Sequence, residues 1–184
     1  MTGHVLWLMG PTSSGKTTLA RGLTRCLRAS GFGVIHYDGD EVRGFFGPDH
    51  GFTEPDRFRV VQTLVHLANK AAGAGLHVVV SALTAAVQAR KYVIENTMNL
   101  IVGHVSCPVD LCAQRDPKGL YQRAARGAID SLIGFNSPYL PPEDPDIVVD
   151  TAALTVEQGV ELLEASILNR LGLLAATHGN PKPR

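Results

Sequence analysis

The sequence predicts an α/β fold of three layers, in which a mostly parallel sheet of five strands is covered by helices on both faces. Short apolar runs of strand length alternate with longer segments of helical periodicity along most of the chain. A glycine-rich turn joins the first apolar run to the first helical segment. Apolar strands that are separated by helices indicate a parallel sheet buried on both sides.

Five apolar runs are the predicted strands: Val5–Met9, Val34–Asp38, His77–Ser81, residues 100–105 and Ile147–Asp150. The first helix carries the apolar stripe Leu19, Leu23 and Leu27. A second helix opens at Pro55, and a last one begins at the capping box of Thr155 and Gln158. We predict a single domain over residues 1–175, a loop over 136–146 and a disordered tail over 176–184.

The glycine-rich turn has the pattern G-x-x-x-x-G-K-[ST] of a phosphate-binding loop. Gly10 and Gly15 permit backbone angles that place successive N–H groups around a phosphate. Lys16 supplies a cation for the outer phosphates, and the Thr17 hydroxyl is a ligand for Mg²⁺. The sequence therefore predicts a P-loop nucleoside-triphosphate-binding fold. The predicted ATP-binding residues here are Gly10, Pro11, Thr12, Ser13, Ser14, Gly15, Lys16, Thr17 and Thr18.

Composition limits the other functions that the chain can have. The 17 basic and 17 acidic residues give a formal net charge of zero, which argues against a general nucleic-acid or anionic-membrane surface. The three cysteines show no metal-ligand or redox-motif spacing, so we interpret them as reduced thiols. Together with a start that leads directly into the first strand, these features predict a cytoplasmic protein.

The second strand ends in two carboxylates, Asp38 and Asp40, which are separated by Gly39. Carboxylates at the mouth of a phosphate site suit Mg²⁺ coordination and removal of a hydroxyl proton. A turn with helix-capping acids is the alternative interpretation. Arg43 follows one helical turn later and is suited to an anionic acceptor. The third strand ends at Ser81 without an acid, which makes Asp38 and Asp40 the better candidates for the metal.

Several segments together resemble the adenylylsulfate kinase family, whose members transfer the γ-phosphate of ATP to the 3′-hydroxyl of adenosine 5′-phosphosulfate. The resemblance covers approximately residues 7–151. Its most specific segment is the run Arg-Asp-Pro-Lys-Gly-Leu-Tyr at residues 115–121. The other matching segments are the phosphate loop, Asp-Gly-Asp-Glu-Val-Arg at 38–43, Gly-Phe-Thr at 51–53, Asp-Arg at 56–57, and Ser-Pro-Tyr at 137–139 followed by Pro-Glu at 142–143.

The resemblance implies a role for individual residues. Asp40 would be the base linked to the metal, Thr17 and Asp40 would hold Mg²⁺, and Lys16 and Lys118 would complete the catalytic set. Lys118 would lie on a mobile lid, and Arg115 would lie near the ATP base. The implied acceptor-binding residues are Asp38, Asp40, Arg43, Phe52, Arg57, Lys118, Gly119 and Leu120. The resemblance also implies small-molecule substrates, no nucleic-acid or membrane partner, and a possible homodimer.

Some of these residues also have interpretations unrelated to a site. Phe52 is either a platform on which the acceptor adenine stacks or a plug into the core. Arg57 is either an anion ligand or a surface residue in the first turn of its helix. Lys118, between a proline and a glycine, is either a cation on a hinged loop or an ordinary solvated lysine.

The chain departs from the family pattern mainly on the acceptor side. Ala85 replaces a serine that carries phosphate in some members, and Val60 replaces an asparagine that helps to hold the acceptor. Leu132 replaces an aromatic residue on the far side of the acceptor adenine. The leading function is therefore a kinase that uses ATP and Mg²⁺ to phosphorylate adenosine 5′-phosphosulfate. The alternatives are a diverged kinase for another nucleotide or small anionic metabolite, and a nucleotide-binding regulatory protein without turnover.

Overall fold

A sheet of five parallel strands forms the centre of the computed structural model, which describes residues 2–47 and 50–171. In chain order the elements are β1 (Val5–Met9), α1 (Lys16–Ala29), β2 (Val34–Asp38), α2 (Gly39–Gly44), α3 (Glu54–Gly73), β3 (His77–Ser81), α4 (Val87–Asn96), β4 (Leu100–Ser106), α5 (Val109–Arg115), α6 (Leu120–Ala125), β5 (Ile147–Asp150) and α7 (Val156–Arg170). The five predicted strands are thereby confirmed, with β4 one residue longer than expected.

The strand order is β2-β3-β1-β4-β5, and every neighbouring pair is parallel. Parallel pairing brings the carboxyl ends of the strands to one edge of the sheet, where ligands bind in open α/β folds. Asp38 at the end of β2 lies in register with Ser81 at the end of β3. The turn after β1, which contains the phosphate loop, opens at the same edge.

Helices cover the sheet on both faces, as the apolar strands predict. One core cluster contains Trp7, Val78 and Val80 from the strands together with Leu64 and other buried residues of α3. The other contains Leu6 and Leu8, with the buried stripes of α1 and α7 packed against them. Alternate side chains of β1 thus point into opposite cores, and all five residues of β1 are buried. The three-layer prediction is confirmed.

The helix boundaries follow the predicted signals. The side chain of Thr53 accepts a hydrogen bond from the backbone N–H of Asp56 in a capping box, with Pro55 in the first turn of α3. The predicted capping box of Thr155 and Gln158 begins α7. Residues 136–146 contain no helix or extended strand, as predicted. The predicted tail, residues 176–184, lies outside the described residues. No helix within residues 2–47 and 50–171 is both long and apolar enough to cross a membrane.

Candidate active site

The phosphate loop needs both of its glycines for different reasons. A Cβ atom at Gly10 would lie 2.5 Å from the carbonyl oxygen of Val105, so only glycine permits this close approach to β4. Gly15 has a φ of 97°, in the left-handed region that disfavours side chains, and it caps α1. Because α1 begins at Lys16, its free N–H groups and the positive end of its dipole face the loop.

Lys16 is folded back onto its own loop. Its Nζ donates hydrogen bonds to the carbonyl oxygens of Gly10 over 2.8 Å and Pro11 over 2.6 Å. Burial lowers the pKa of Lys16 to about 8, against the attraction of Asp40 and Asp38. The ammonium group is therefore held at the loop and forms no direct ion pair with a carboxylate of residues 2–47 or 50–171, which leaves its charge available to a phosphate.

Thr17, Asp38 and Ser81 form a buried network at the end of β2. The hydroxyl groups of Thr17 and Ser81 each donate to Oδ2 of Asp38 over 2.7 Å, and the N–H of Asp40 donates to Oδ1. Burial alone would raise the pKa of Asp38, but these three hydrogen bonds outweigh it and lower the pKa. Asp38 is thus an ionised, almost fully buried carboxylate whose oxygens are already occupied.

Asp40 has a different environment from Asp38, although only Gly39 separates them. Its carboxylate is exposed at the cavity and forms an ion pair with Nζ of Lys118, from the loop between α5 and α6. Of these two acids, which the residue pattern alone does not distinguish, Asp40 is the one accessible from the cavity. Asp38 also serves as the N-cap of α2, so the helix-capping interpretation applies to it in part.

A cavity of about 910 Å³ unites most of the predicted residues, and its size lies at the upper end for small-molecule sites. Among the predicted residues, its walls include Thr12, Ser13, Gly15, Lys16, Thr17, Thr18, Asp38, Asp40, Arg43, Phe52, Arg57, Arg115, Lys118 and Leu120. Gly10, Pro11 and Ser14 are the buried residues of the phosphate loop. Gly119 follows Lys118 in the chain and has a φ of 63°. The structure therefore brings the predicted ATP and acceptor residues to one cavity.

Arg43 and Phe52 form one wall of this cavity. The guanidinium carbon of Arg43 lies 4.6 Å from the centre of the Phe52 ring, and Nη1 donates to the carbonyl oxygen of Gly51 over 2.7 Å. Nε of Arg43 is buried and has no partner within the described residues. The Phe52 ring remains 57% exposed and faces the cavity, so it is not a plug into the core.

Arg57 joins this wall to the loop that precedes the proline-rich segment. Its Nε donates to the carbonyl oxygen of Phe52 over 2.8 Å, and its Nη2 donates to that of Ser131 over 2.9 Å. Leu132 follows Ser131 and lines the same cavity. Val60, by contrast, is buried in the core beneath α3 and is absent from the cavity wall. Of Val60 and Leu132, only Leu132 borders the cavity, and it is itself almost fully buried in a small core cluster with Cys112 and Tyr121.

The Arg-Asp-Pro-Lys-Gly-Leu-Tyr segment is fastened at both ends. Arg115 donates to the side chain and the carbonyl oxygen of Thr151 over 3.0 and 2.6 Å. Both oxygens of Asp116 accept backbone N–H groups at the start of α6, from Leu120 and Gln122. The hydroxyl of Tyr121 donates to the carbonyl oxygen of Thr12, which ties α6 to the phosphate loop. Lys118 is thereby presented from an exposed loop between two fixed points.

Sequence reasoning missed the contribution of Thr151 and the hydrogen bond from Tyr121. Thr151 directly follows β5, so the rule that sites lie at the carboxyl ends of strands was enough to indicate it. Cys107, which follows β4 at the same edge of the sheet, is by contrast buried away from the cavity, and its Sγ accepts a hydrogen bond from Arg115. The three cysteines are free thiols, as predicted.

In the described ranges, no group of three or more His, Cys, Asp or Glu side chains could hold a metal ion alone. This is compatible with Mg²⁺, which binds through one or two protein oxygens while phosphates and waters supply the other ligands. The Thr17 hydroxyl and the exposed Asp40 carboxylate are the hard oxygen donors suited to it at this cavity.

The fold and this cavity define a phosphate-loop kinase. The family model of adenylylsulphate kinase matches residues 2–150, and the chain belongs to that family. It is 37% identical over 147 residues to a probable adenylyl-sulfate kinase from Archaeoglobus fulgidus, covering 80% of this chain and 95% of that protein. It is 35% identical over 173 residues to an adenylyl-sulfate kinase from Chloroflexus aurantiacus, covering 94% and 92%.

The structure is also similar to that of the Mycobacterium tuberculosis APS kinase CysC in complex with AMPPNP and APS. The TM-score is 0.79 at 29% identity, and the match covers 95% of this chain and 98% of that one. The resemblance to the family and the fold class predicted from the sequence are both confirmed.

Proposed function

We propose that this protein transfers the γ-phosphoryl group of ATP to the 3′-hydroxyl of adenosine 5′-phosphosulfate. One observation carries the proposal: a single cavity joins the phosphate loop to a wall of arginines and an aromatic ring, with Asp40 and Lys118 among the groups between them. Membership of the adenylylsulphate kinase family supports the reaction type. The named relatives support the same acceptor.

On the donor side, we propose that the backbone N–H groups of residues 12–17 surround the β-phosphate of ATP and that Lys16 contacts the outer phosphates. Lys16 must then exchange its hydrogen bonds to Gly10 and Pro11 for phosphate oxygens. Arg115, fixed by Thr151 at the cavity wall, would lie near the adenine of ATP. Preorganised donors of this kind stabilise the charge that develops on the transferred phosphoryl group.

We assign Mg²⁺ binding to Thr17 and Asp40, with ATP phosphates completing the coordination. Bound Mg²⁺ would supply charge neutralisation for the phosphates. Asp38 accepts a hydrogen bond from the Thr17 hydroxyl, which turns the lone pairs of the hydroxyl oxygen away from Asp38 and leaves them free for the metal. Asp38 would thus be a positioning residue for Thr17.

Asp40 is the proposed general base, because its exposed carboxylate is the one that an acceptor hydroxyl can reach. Its ion pair with Lys118 must open or rearrange when substrates enter. Lys118 would then neutralise charge on the transferring phosphoryl group, from a loop that acts as a lid. The exposed position of Lys118 and the left-handed Gly119 beside it support this role.

The acceptor is proposed to bind between Phe52 and the loop at residues 128–132. Its adenine would stack on Phe52, and its phosphosulfate would bind Arg43 and Arg57, whose remaining donors include the unpartnered Nε of Arg43. Asp38, Gly119 and Leu120 would shape this pocket without making a charged contact with the ligand. Arginine is suited to such bidentate anion contacts.

Leu132 favours a second candidate acceptor. An aliphatic, almost fully buried residue borders the cavity where an aromatic residue would complete a base sandwich, so a different nucleotide or small anionic metabolite is the alternative substrate. An ADP-release assay with ATP, Mg²⁺ and a panel of acceptors separates the two. Turnover with adenosine 5′-phosphosulfate supports the main proposal, whereas turnover with another hydroxyl compound alone supports the alternative.

We also propose a cytoplasmic location, which the three free thiols support. A homodimer stays a prediction from family resemblance, and one similar solved structure, from Thiobacillus denitrificans, is described as a hexameric APS kinase. Light scattering of the purified protein distinguishes a monomer, a dimer and a hexamer by mass.

A further inference from the structure

We propose that a second cavity, formed by α1 and β2, binds a small anion that carries phosphate or sulfate groups. The cavity has a volume of about 400 Å³ and shares one lining residue, Arg21, with the active-site cavity. The proposal goes beyond phosphoryl transfer and does not depend on which acceptor the protein uses. Its ligand class follows from the charge of the walls.

The walls of this cavity carry several basic groups and no acidic one. They consist of Arg21, Thr24, Arg25, Arg28, Ile35 and His36. The whole chain has zero formal net charge. Three of its 17 basic residues are nevertheless concentrated in these walls, where no lining residue is an Asp or Glu that would balance them. A concave surface lined by one sign of charge attracts ions of the other sign.

The arrangement on α1 is unfavourable without a counter-ion. Arg25 follows Arg21 by four residues and precedes Arg28 by three, so all three arginines share one face of the helix. Like charges at these spacings destabilise a helix. Glu41 compensates only Arg21, through an exposed ion pair of 3.2 Å. A bound anion would compensate the remaining two.

Arg25 is the residue that the fold does not otherwise explain. Arg28 lies in the last turn of α1, where a cation interacts favourably with the helix dipole, and its Nε donates to the carbonyl oxygen of Val34. Arg25 lies before that turn, is exposed, and has no hydrogen-bond or ion-pair partner among the residues that the structure describes. Its guanidinium group is therefore available to a ligand in the cavity.

His36 lines the cavity as a ring that is held by Ser81. The hydroxyl of Ser81 donates its hydrogen bond to Asp38, so Nε2 of His36 must be the donor in its 2.8 Å contact with Ser81 Oγ. Burial lowers the pKa of His36, so the ring is neutral and the positive charge of the cavity comes from its arginines. The ring thus connects the wall of the basic cavity to the network that holds Thr17.

Pyrophosphate is the probe for the test, in metal-free buffer, with the donor site saturated by AMPPNP and with the proposed acceptor ligands removed by Arg43→Gln and Arg57→Gln in every protein that is compared. Isothermal titration calorimetry should show one binding event that Arg25→Gln weakens at least tenfold, the effect expected for one charge-assisted contact. Arg25→Lys keeps the charge and should stay within about threefold of the protein that keeps Arg25. Arg21 is not used for the test because it also lines the active-site cavity.

Arg59→Gln is the matched control, since Arg59 is an exposed arginine on α3 and its loss changes the net charge equally. It should leave the affinity unchanged. Circular dichroism should show that each variant is folded, because Arg25 makes no contact on which the fold depends. Two outcomes would overturn the proposal: no pyrophosphate binding at millimolar concentration, or binding that Arg25→Gln and Arg59→Gln weaken equally.

Discussion

The hydroxyl of Thr17 donates a hydrogen bond of 2.7 Å to the carboxylate of Asp38, which is almost fully buried at the end of β2. Ser81 donates to the same oxygen over the same distance. The last residue of the phosphate loop is therefore oriented by two strands of the sheet. The pKa of Asp38 is lowered below its ordinary value of 3.8 because these hydrogen bonds favour the charged form.

The first prediction concerns the stability that this network supplies. Asp38→Asn removes the charged acceptor and should lower the free energy of unfolding at pH 7 by about 2 kcal/mol. A carboxylate whose pKa is lowered by folding stabilises the fold at pH values above its pKa in the unfolded state. This stabilisation is lost as the pH falls through its pKa in the folded state. Urea titrations from pH 7 downward should show the wild-type advantage shrinking only below about pH 4. A difference that shrinks between pH 7 and pH 5 would contradict the assignment.

The second prediction concerns Lys16. Lys16→Ala removes a cation aimed at the outer phosphates and should reduce kcat by at least about a hundredfold, the loss typical of one preorganised donor. The fold should persist, since Nζ contacts only carbonyl oxygens of its own loop. Thermal unfolding checks the fold and ADP release checks the rate. Near-normal turnover in a folded Lys16→Ala variant would contradict the assignment of Lys16 to the outer phosphates of ATP.

The third prediction is the pH dependence that follows from Lys16. In the free protein its positive charge is lost as the pH rises through about 8. Phosphates bind the charged form, so kcat/KM for ATP should fall above that pH, whereas kcat should persist to higher pH because bound phosphates stabilise the charge. AMPPNP binding to Lys16→Arg, which stays charged, should lack this loss near pH 8. A loss of equal size in that variant would assign the titration to another group.

The fourth prediction separates the two carboxylates of the Asp-Gly-Asp turn. Asp40→Asn keeps the shape but cannot accept a proton, so kcat should fall about a hundredfold or more while the affinity for ATP changes much less. Equilibrium binding of AMPPNP and steady-state rates measure the two effects separately. If Asp38→Asn stops turnover in a folded protein while Asp40→Asn is near normal, the base has been assigned to the wrong residue.

The fifth prediction concerns the wall opposite Phe52. Leu132 borders the cavity from a buried position in a small core cluster, so the larger ring of Leu132→Phe should extend into the cavity, supply a second stacking surface and lower the KM for adenosine 5′-phosphosulfate by about tenfold. Val60→Asn is the comparison variant: Val60 is buried in the core, so a buried amide should cost stability without improving KM. A Leu132→Phe variant with unchanged KM would show that adenine does not occupy this pocket.

Local patterns predicted the five strands and the three long helices α1, α3 and α7, because each of these elements depends on neighbouring residues. The capping box of Thr155 and the buried β1 are examples. The patterns did not indicate the shorter helices α4, α5 and α6. The residue pattern alone does not distinguish Asp38 from Asp40, and only the family resemblance favours Asp40, since the difference between their environments arises from β3, which contributes Ser81, and from the loop of Lys118. Contacts between distant segments are not encoded in local periodicity.

The same limit applies to the acceptor wall. Family resemblance identified both Val60 and Leu132 as departures, but only the packing of α3 shows that Val60 points into the core. Phe52 had two equal interpretations until its ring was found exposed beside Arg43. In each case the backbone path of a remote element decides whether a side chain faces the ligand.

The most direct test of the central claim is an assay of ADP release by the wild-type protein with ATP, Mg²⁺ and adenosine 5′-phosphosulfate, with the nucleotide product identified by mass spectrometry. We expect ADP and 3′-phosphoadenosine 5′-phosphosulfate in equal amounts, at a rate that Asp40→Asn strongly reduces. The proposed function would be contradicted if ADP release with adenosine 5′-phosphosulfate did not exceed the background without acceptor, while another hydroxyl compound was turned over.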